Sequence, residues 1–338
     1  MSEQHQMKIG YLGAGAWGFA LASLLASKKY EVVSWTISEE LADRLNRSEE
    51  HPMLPGSKKF PNQRLTTDLQ DAVQGADLIV ESVTSAGIRP VFEQLKKVEL
   101  PSCPIVITSK GIEQDTGLIL SDVISEVLGE GVRCRIGAIS GPSYAAEVVK
   151  GQPTSVTGSA YDPAVMETVC KAFNTEAFRV YPNHDMRGVA LGGALKNVIA
   201  IACGVAEGLN LGYSARAALM TRGLHEIRKL AVSMGANSET LYGLSGMGDL
   251  TVTCSAMTSR NFKFGYLLSQ GKGVKDAKKE IGMAVEGAYT CVSALQLSKK
   301  LNVPMPISEC VYQVVFEGLP PKEAVVQLMK REIKQEHL

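Results

Sequence analysis

The stretch KIGYLGAGAWGFA, residues 8–20, decides the fold of this chain. It begins with a short apolar run that predicts a β-strand, continues with Gly13, Gly15 and Gly18 in the spacing G-x-G-x-x-G, and then opens a predicted helix. In that context the first glycine permits a tight turn, the second lets a pyrophosphate approach the backbone, and the third allows close helix–strand packing. The stretch therefore predicts a dinucleotide-binding site rather than a plain tight turn.

Short apolar runs alternate with helical patterns through the first half of the chain. The predicted strands cover residues 8–12, 31–35, 77–83, 104–108 and 135–139. The helices predicted between them cover residues 17–27, 39–46, 88–97 and 118–128. Alternation of this kind predicts an α/β fold with a doubly wound parallel sheet, as in a Rossmann domain. Two weaker strand patterns, at 154–157 and 177–181, flank a predicted helix at 164–173 and should complete the same sheet.

The pattern changes after about residue 184, where strand signals fade and the period of the α-helix takes over. The helices predicted there cover residues 185–207, 214–234, 259–269, 286–300, 307–316 and 321–330. A Pro-Asn-His segment within residues 181–185 predicts a linker. We therefore expect a dinucleotide-binding Rossmann domain over residues 1–183 and an all-helical substrate domain over residues 184–338.

Bulk composition excludes several classes of protein. Lys plus Arg and Asp plus Glu both number 35 among 338 residues, so the formal net charge is zero, which argues against a general nucleic-acid binder. Seven scattered cysteines without a CxxC pair favour reduced thiols over disulfides or a metal site. The first residues lack the apolar segment of a secretory signal. A soluble cytoplasmic protein is therefore expected.

The most informative single residue is Lys196, which lies with Asn197 in the middle of the apolar run VALGGALKNVIAIACGV, residues 189–205. A central cation makes a poor membrane span, so the run predicts a helix buried inside a soluble protein, with no membrane insertion. Burial lowers the pKa of an ammonium group, and a lowered lysine pKa suits proton transfer near neutral pH. Lys196 is therefore a catalytic candidate; the alternative is that its side chain extends to the surface.

Weaker candidates follow predicted strands. Lys110 comes after the strand at 104–108, at the edge of the sheet where open α/β folds bind ligands. Gly141 and Ser143 follow the strand at 135–139 and either start a helix or present donors to a ligand. Asp249 lies in the glycine-rich segment 243–250, where it is a candidate polar group or an ordinary helix cap.

A possible anion site lies further along the chain. Ser259 can cap the helix that follows it, the free amides there can hold an anion, and the Arg260 guanidinium matches a phosphate group. By itself this pattern also fits an ordinary capped helix with a surface arginine. Glu286 likewise fits the first turn of a helix on electrostatic grounds alone.

Taken together, these segments resemble the bacterial-type NAD(P)-dependent glycerol-3-phosphate dehydrogenases. The matching stretches are GAGAWGFAL (13–21), TSKGIE (108–113), SGPSYAAEV (140–148), ALKNVIAIACGVAEGL (194–209), GLSGMGDLTVTC (243–254), SRNFKFG (259–265) and VEGAYT (285–290). They stand in the order of the family and cover nearly the whole chain, so they are far more specific than the glycine triplet.

The resemblance implies a reaction and a set of residues. Members reduce dihydroxyacetone phosphate, a small phosphorylated substrate, to sn-glycerol 3-phosphate for phospholipid synthesis. They join a Rossmann domain to a helical domain like that of 6-phosphogluconate dehydrogenase, often as a homodimer. Lys196 would be the proton donor, with Lys110 and Asp249 beside it. Substrate contacts would come from Lys110, Gly141, Ser143, Lys196, Asp249, Ser259, Arg260 and Asn261. Dinucleotide contacts would come from Ala16, Trp17, Lys110, Ala145, Arg260, Ala284 and Glu286.

The choice between NAD and NADP stays open at the sequence level. An acid at the end of the second strand favours NAD and a nearby arginine favours NADP, but this chain has Thr36 there. The family commonly carries arginine at that position and often serine in place of Ala16. Two rival interpretations remain: a related β-hydroxy-acid dehydrogenase, which would not need a phosphate site at residues 259–261, and a non-catalytic NAD(P) sensor, which would not need Lys196.

Overall fold

An eight-stranded sheet occupies the first half of the chain in the computed structural model, which describes residues 6–333, 335 and 336. The strands are β1 (Lys8–Leu12), β2 (Glu31–Trp35), β3 (Gln63–Thr66), β4 (Leu78–Glu81), β5 (Ile105–Ile107), β6 (Ile136–Ser140), β7 (Thr154–Ala160) and β8 (Phe178–Asn183). Their spatial order is β3-β2-β1-β4-β5-β6-β7-β8. The order reverses direction at β1, so β1 and β4 form the switch point at which such sheets bind ligands.

Helices cover both faces of the sheet, because its inner strands bury apolar residues on both sides. They are α1 (Ala16–Ser27), α2 (Glu39–Asn46), α3 (Leu69–Val73), α4 (Ile88–Leu95), α5 (Leu120–Leu128), α6 (Ala145–Val148) and α7 (Pro163–Phe173). Short 3₁₀ segments lie at Ser85–Gly87 and Glu130–Arg135. The predicted Rossmann architecture is confirmed.

The second half of the described chain is helical. Its α-helices are α8 (Met186–Gly208), α9 (Gly212–Ser233), α10 (Asp249–Ser255), α11 (Arg260–Ser269), α12 (Val274–Ile281), α13 (Glu286–Leu301), α14 (Pro306–Tyr312) and α15 (Pro321–Met329). A 3₁₀ turn at Ser238–Tyr242 and π-helical turns at Leu244–Gly248 and Gln313–Glu317 connect or extend them. The predicted all-helical part of the fold is confirmed.

Helix α8 is the centre of this half, packed against α9, α10, α11 and α13. It is long and apolar enough to cross a membrane by length and composition, but 94% of its most apolar window is buried beneath neighbouring helices. Such burial is typical of a core helix, as the lysine within it led us to expect. Glycines bring α11 against α8: a Cβ at Gly265 would lie 2.0 Å from the Ile201 carbonyl oxygen, and one at Gly204 would lie 1.9 Å from that of Phe262.

Three details differ from the sequence-based expectations. The sheet is not wholly parallel, because β7 runs antiparallel to β6. The intervening chain carries only the single-turn helix α6, whereas a parallel return needs a full crossover. Strand β3 escaped prediction because three of its four residues, QRLT, are polar and it lies at the edge of the sheet. The expected linker is wrong in part: Tyr181 and Pro182 pair with β7 as the end of β8, where an edge strand tolerates proline.

The two-domain division at residues 183 and 184 remains our proposal. It falls in the short connection between the end of β8 and the start of α8. The two proposed domains include residues 1–5, 334, 337 and 338, which lie outside the described residues.

Replacing Gly265 with alanine should destabilise the helical half, because the new methyl group would collide with the backbone of α8 rather than with a flexible side chain. Overpacking of this kind lowers the free energy of unfolding by about 1–3 kcal/mol. Chemical denaturation of Gly265→Ala and of the control Gly131→Ala, whose added Cβ meets nothing within 4 Å, would measure the difference. Equal stabilities would contradict the close approach of the two helices.

Candidate active site

The glycine-rich turn between β1 and α1 has the geometry that a dinucleotide requires. Gly13 adopts φ +104°, and a Cβ there would lie 2.6 Å from the Ser82 carbonyl oxygen. A Cβ at Gly18 would lie 2.2 Å from the Gly13 carbonyl oxygen, so the helix can approach the strand only with glycine. Gly15 faces open space, with nothing within 4 Å of its Cβ position. Helix α1 begins there with no side-chain cap and no acid in its first turn. The turn therefore fits a pyrophosphate.

The residue after β2, at the position where the ribose of a dinucleotide's adenosine is recognised in such folds, is uncharged. Thr36 is buried, and its hydroxyl oxygen accepts the Ser38 N–H at 3.2 Å. Ser38 in turn caps α2, so Glu39 and Glu40 lie in the first turn of that helix. The structure therefore gives the same answer as the sequence at this position: Thr36 brings neither an acid nor an arginine to the ribose.

The central polar cluster joins the two halves of the chain through one carboxylate. The Lys196 ammonium on α8 donates to Asp249 Oδ1, and the Lys110 ammonium donates to Asp249 Oδ2 at 2.6 Å. The side chains of Lys196 and Asp249 are 9% and 1% exposed, and that of Lys110 is 17% exposed. Lys196 therefore does not reach the surface, and its charge is matched inside the protein.

Burial lowers the pKa of Lys196 to about 8, against the opposing effect of the Asp249 carboxylate; the Lys110 charge lowers it further. Lys196 also donates to the Thr253 hydroxyl at 2.6 Å, and that hydroxyl donates to the Asp249 carbonyl oxygen at 2.6 Å. An amine with this pKa is present in both protonation states close to neutral pH, which is the condition for general acid–base work.

Asp249 is held in place by the glycine-rich segment before it. This segment is the π-helical turn Leu244–Gly248, followed directly by α10. Asp249 is the first residue of α10 and faces the two lysines instead of acting as a side-chain cap. A Cβ at Gly192 on α8 would lie 2.8 Å from the Ser245 carbonyl oxygen, so small residues on α8 allow this turn to approach.

Lys110 reaches the cluster from the carboxyl end of β5. Its ammonium also donates to the Gly141 carbonyl oxygen at 3.1 Å, which accepts the Ser143 hydroxyl at 3.1 Å as well. The stem of Lys110 packs beside Gly193, where a Cβ would lie 3.5 Å from two of its carbons. The segment at 141–143 is thus an irregular turn between β6 and α6, which begins only at Ala145. The structure thus brings Lys110, Gly141 and Ser143 together.

A second cluster lies beside the first, through the residue that follows Lys196. The Asn261 amide nitrogen donates to Asn197 Oδ1 at 3.0 Å, and Asn261 Oδ1 accepts the Gly287 N–H at 2.8 Å. Asn261 therefore connects α8, α11 and α13 and keeps one N–H available for a ligand. Ser259 caps α11, as its hydroxyl accepts the Phe262 N–H at 3.3 Å. The predicted helix cap is confirmed.

The remaining predicted residues surround these clusters. Arg260 is exposed in the first turn of α11, and the charge of Glu286 acts on its guanidinium. Glu286 begins α13 and accepts a hydrogen bond from the Ser85 hydroxyl, which follows β4. Ala145 is half-buried at the start of α6, and Ala284 is exposed just before α13.

Sequence reasoning missed two contacts of this site. Thr253 lies four residues after Asp249 on one helix, so helical spacing could have placed both on the same face. Ser85 gave no signal in the sequence, because its partner Glu286 is 201 residues away.

Two family models together match most of the chain. The model of the N-terminal part of NAD-dependent glycerol-3-phosphate dehydrogenase matches residues 8–166, and that of the C-terminal part matches residues 185–326. The chain belongs to the NAD-dependent glycerol-3-phosphate dehydrogenase family. The resemblance inferred from the sequence motifs is therefore confirmed.

Relatives of this family align over nearly the whole chain. The glycerol-3-phosphate dehydrogenase [NAD(P)+] of Protochlamydia amoebophila is 60% identical over 331 residues, covering 98% of this chain and 99% of that protein. The enzyme of the same name from Chlamydia pneumoniae is 54% identical with the same coverage. The crystal structure of glycerol-3-phosphate dehydrogenase from Coxiella burnetii has a TM-score of 0.92 at 35% identity, covering 96% of this chain and 99% of that one.

The replacement Asp249→Asn tests how much the Asp249 carboxylate contributes to the stability of the protein through its pairing with the two lysines. The buried Lys196 ammonium and the partly buried Lys110 ammonium would lose their shared counter-charge, which lowers the free energy of unfolding by about 3–5 kcal/mol. Denaturant titration of this variant and of Asp71→Asn, which breaks an exposed pair with Arg64 worth at most about 1 kcal/mol, would measure the effect. A loss for Asp249→Asn no larger than for the control would show that the lysines find other partners.

Proposed function

We propose that this protein interconverts dihydroxyacetone phosphate and sn-glycerol 3-phosphate with NAD or NADP, using Lys196 as the acid and base. The observation that carries the proposal is the buried Lys196 ammonium, bonded to Asp249 beside Lys110, next to the edge of a sheet that carries a dinucleotide turn. The family to which the chain belongs supports the reaction.

The dinucleotide would lie on the turn formed by Gly13, Gly15, Ala16, Trp17 and Gly18, where free amides and the α1 dipole favour its phosphates. When bound, its nicotinamide supplies or accepts a hydride. Further contacts would come from Thr36, Lys110, Ala145, Arg260, Ala284 and Glu286. The preference between NAD and NADP is not decided by Thr36, and rates measured separately with NADH and NADPH would determine it.

Lys196 would act on the oxygen of the substrate carbonyl. In the ammonium form it donates a proton to this oxygen as negative charge develops there, and in the amine form it accepts the hydroxyl proton in the reverse direction. Lys110 adds a second positive charge that favours the developing alkoxide. Asp249 positions both amines, and Thr253 limits the orientation of Lys196.

The substrate phosphate would be held at the start of α11. The amides there, the Ser259 hydroxyl and the Arg260 guanidinium offer donors to an anion, and Asn261 keeps one N–H available. Asn261 is bonded to Asn197, the neighbour of Lys196, so the anion site and the acid would be fixed relative to each other. Gly141 and Ser143 would complete the substrate contacts. This phosphate site favours the proposed substrate over a β-hydroxy acid.

The cellular setting follows from the same proposal. The apolar helix α8 is buried in the core rather than exposed to a membrane. We propose a cytoplasmic enzyme, with no membrane insertion and no nucleic-acid partner, that supplies glycerol 3-phosphate for phospholipid synthesis. We further propose that it acts as a homodimer.

The pH dependence of the reaction, measured in both directions, should show the titration of Lys196. Reduction of dihydroxyacetone phosphate needs the ammonium form, so kcat/KM should fall as pH rises through about 8, whereas oxidation of glycerol 3-phosphate needs the amine and should rise. Lys196→Met should lower kcat by about a hundredfold or more while dinucleotide binding persists. The exposed Lys229 on α9, replaced in the same way, serves as control. Near-normal turnover of Lys196→Met would remove this residue from the mechanism.

Arg260→Ala should mainly weaken binding of the phosphorylated substrate. Loss of one charge-assisted contact should raise KM for dihydroxyacetone phosphate by about tenfold, since such bonds contribute about 1.5–3 kcal/mol. Steady-state kinetics of this variant and of Arg179→Ala, an exposed arginine on β8, would separate the effect from a general loss of charge. An unchanged KM in Arg260→Ala would contradict the phosphate assignment.

A further inference from the structure

A buried carboxyl group lies beneath the turn that carries Lys110. Glu81 is the last residue of β4, between β1 and β5 at the carboxyl edge of the sheet, and it is 0% exposed. Its Oε1 accepts the Val83 N–H at 2.5 Å and lies 2.7 Å from the Ser109 hydroxyl oxygen. The Glu81 side chain therefore ties the end of β4 to the end of β5.

The hydrogen bonds around Ser109 favour a protonated Glu81. The Ser109 hydroxyl lies within bonding distance of two acceptors, Glu81 Oε1 and the Val83 carbonyl oxygen, but it has only one proton. A proton on Glu81 Oε1 would donate to the Ser109 hydroxyl, and Ser109 would then donate to the Val83 carbonyl oxygen, so that both short contacts of this hydroxyl carry a proton. Glu81 Oε2 is buried and has no hydrogen-bond partner among the described residues, which is costly for an ionised carboxylate.

The electrostatic surroundings of Glu81 act in the same direction. Burial raises its pKa to about 8, against hydrogen bonds from Ser109 and Val83, and the negative charge of Glu286 on α13 raises it further. Tyr11 on β1 also lies close enough to interact electrostatically with Glu81. The positive Lys110 is carried by the same turn as Ser109. Glu81 is therefore mostly neutral at pH 7 and ionises a little above it.

The turn at 109–111 transmits this contact to the substrate site. Lys110 directly follows Ser109 and bonds to Asp249 and to the Gly141 carbonyl oxygen. On the other side, a Cβ at Gly111 would lie 2.3 Å from that of Ser85, which itself bonds to Glu286. The turn is thus held between Glu81 and Ser85, which limits displacement of the Lys110 backbone.

We propose that Glu81 is a positioning residue that works in its neutral form, holding the turn at 109–111 so that the Lys110 ammonium stays on Asp249. Ionisation of Glu81 places a second anion beside this turn and weakens the pairing of Lys110 with Asp249. The proposal rests on the proposed function, in which Lys110 faces the substrate.

The replacement Glu81→Gln distinguishes an effect of Glu81 ionisation from an effect of side-chain size. Glutamine keeps an acceptor oxygen and the size of the side chain but cannot ionise. In the wild type, kcat/KM for dihydroxyacetone phosphate should fall on the alkaline side with the loss of two protons, from Glu81 and Lys196. Just above pH 8 the logarithmic slope then becomes steeper than −1 and approaches −2, against about −1 in Glu81→Gln. Profiles measured between about pH 6 and 10 would show the difference, and superimposable profiles would overturn the proposal.

The replacement Glu81→Ala removes the acceptor as well. It should lower kcat/KM at neutral pH by roughly tenfold to a hundredfold, because a small displacement of Lys110 misplaces a charge at the reacting oxygen. Glu81→Gln should restore the value to within about threefold of the wild type. Full activity of Glu81→Ala, or equal loss in both variants, would overturn the proposal. If the alanine variant does not fold, the slope of Glu81→Gln still decides.

Glu226 provides a matched control. It is another buried carboxyl whose pKa is raised, to about 7, by burial, and it accepts the N–H groups of Ile307 and Ser308 instead of contacting the turn at 109–111. Glu226→Gln should leave the alkaline slope of kcat/KM unchanged. A change equal to that of Glu81→Gln would mean that any buried carboxyl alters the profile, and would overturn the specific role of Glu81.

A measurement without substrate separates this proposal from the proposed function. A raised pKa in the folded state stabilises the protein below the unfolded value, about 4.5, and the stability is lost as pH rises through about 8. The thermal midpoint of the wild type should therefore fall more steeply with pH than that of Glu81→Gln. If the thermal midpoints of the two proteins changed in parallel with pH, Glu81 would not be neutral in the folded protein, and the proposal would be overturned. Absence of wild-type turnover with dihydroxyacetone phosphate would instead refute the proposed function and leave this result standing.

Discussion

The site depends on one buried carboxylate shared by two ammonium groups. Asp249 lies at the start of α10, Lys196 in the middle of α8 and Lys110 at the end of β5, so three elements from both halves of the chain meet at its two oxygens. Charges removed from water are tolerated only when they are paired and hydrogen-bonded. The requirement to pair them fixes the position of α8 against the edge of the sheet, and the proposed chemistry uses the same pairing.

Small residues on α8 make this arrangement sterically possible. Gly192 admits the turn before Asp249, Gly193 admits the stem of Lys110, and Gly204 admits the backbone of α11. The result is a helix whose sides are contacted at backbone distance by the segments that carry the proposed substrate contacts. Such close packing resists displacement. The low side-chain volume of α8 is therefore a condition for bringing a lysine and an anion site together, not merely a sign of an apolar core.

The carboxyl edge of the sheet contains a second layer of polar groups below the lysines. Glu81 and Ser109 connect the ends of β4 and β5, and Ser85 connects the same region to Glu286 on α13. Glu81 and Ser85 are buried, and Ser109 and Glu286 are half-buried. Their arrangement relates the dinucleotide half to the helical half through hydrogen bonds, which are directional, and so fixes the relative orientation of the two halves more sharply than apolar packing alone would.

The sequence determined the features that depend on local pattern. The spacing of Gly13, Gly15 and Gly18 and the alternation of apolar runs predicted the Rossmann sheet and the helical half. The charged Lys196 within an apolar run gave the leading catalytic candidate. These patterns could be interpreted because glycine geometry, periodicity and the cost of a buried charge act over a few residues. The tertiary structure alone decided which partners are shared: that Asp249 serves two lysines, that β7 turns antiparallel, and that Glu81 lies under Lys110. Those facts join residues that are far apart along the chain, and no local pattern encodes a contact whose two members are chosen by packing.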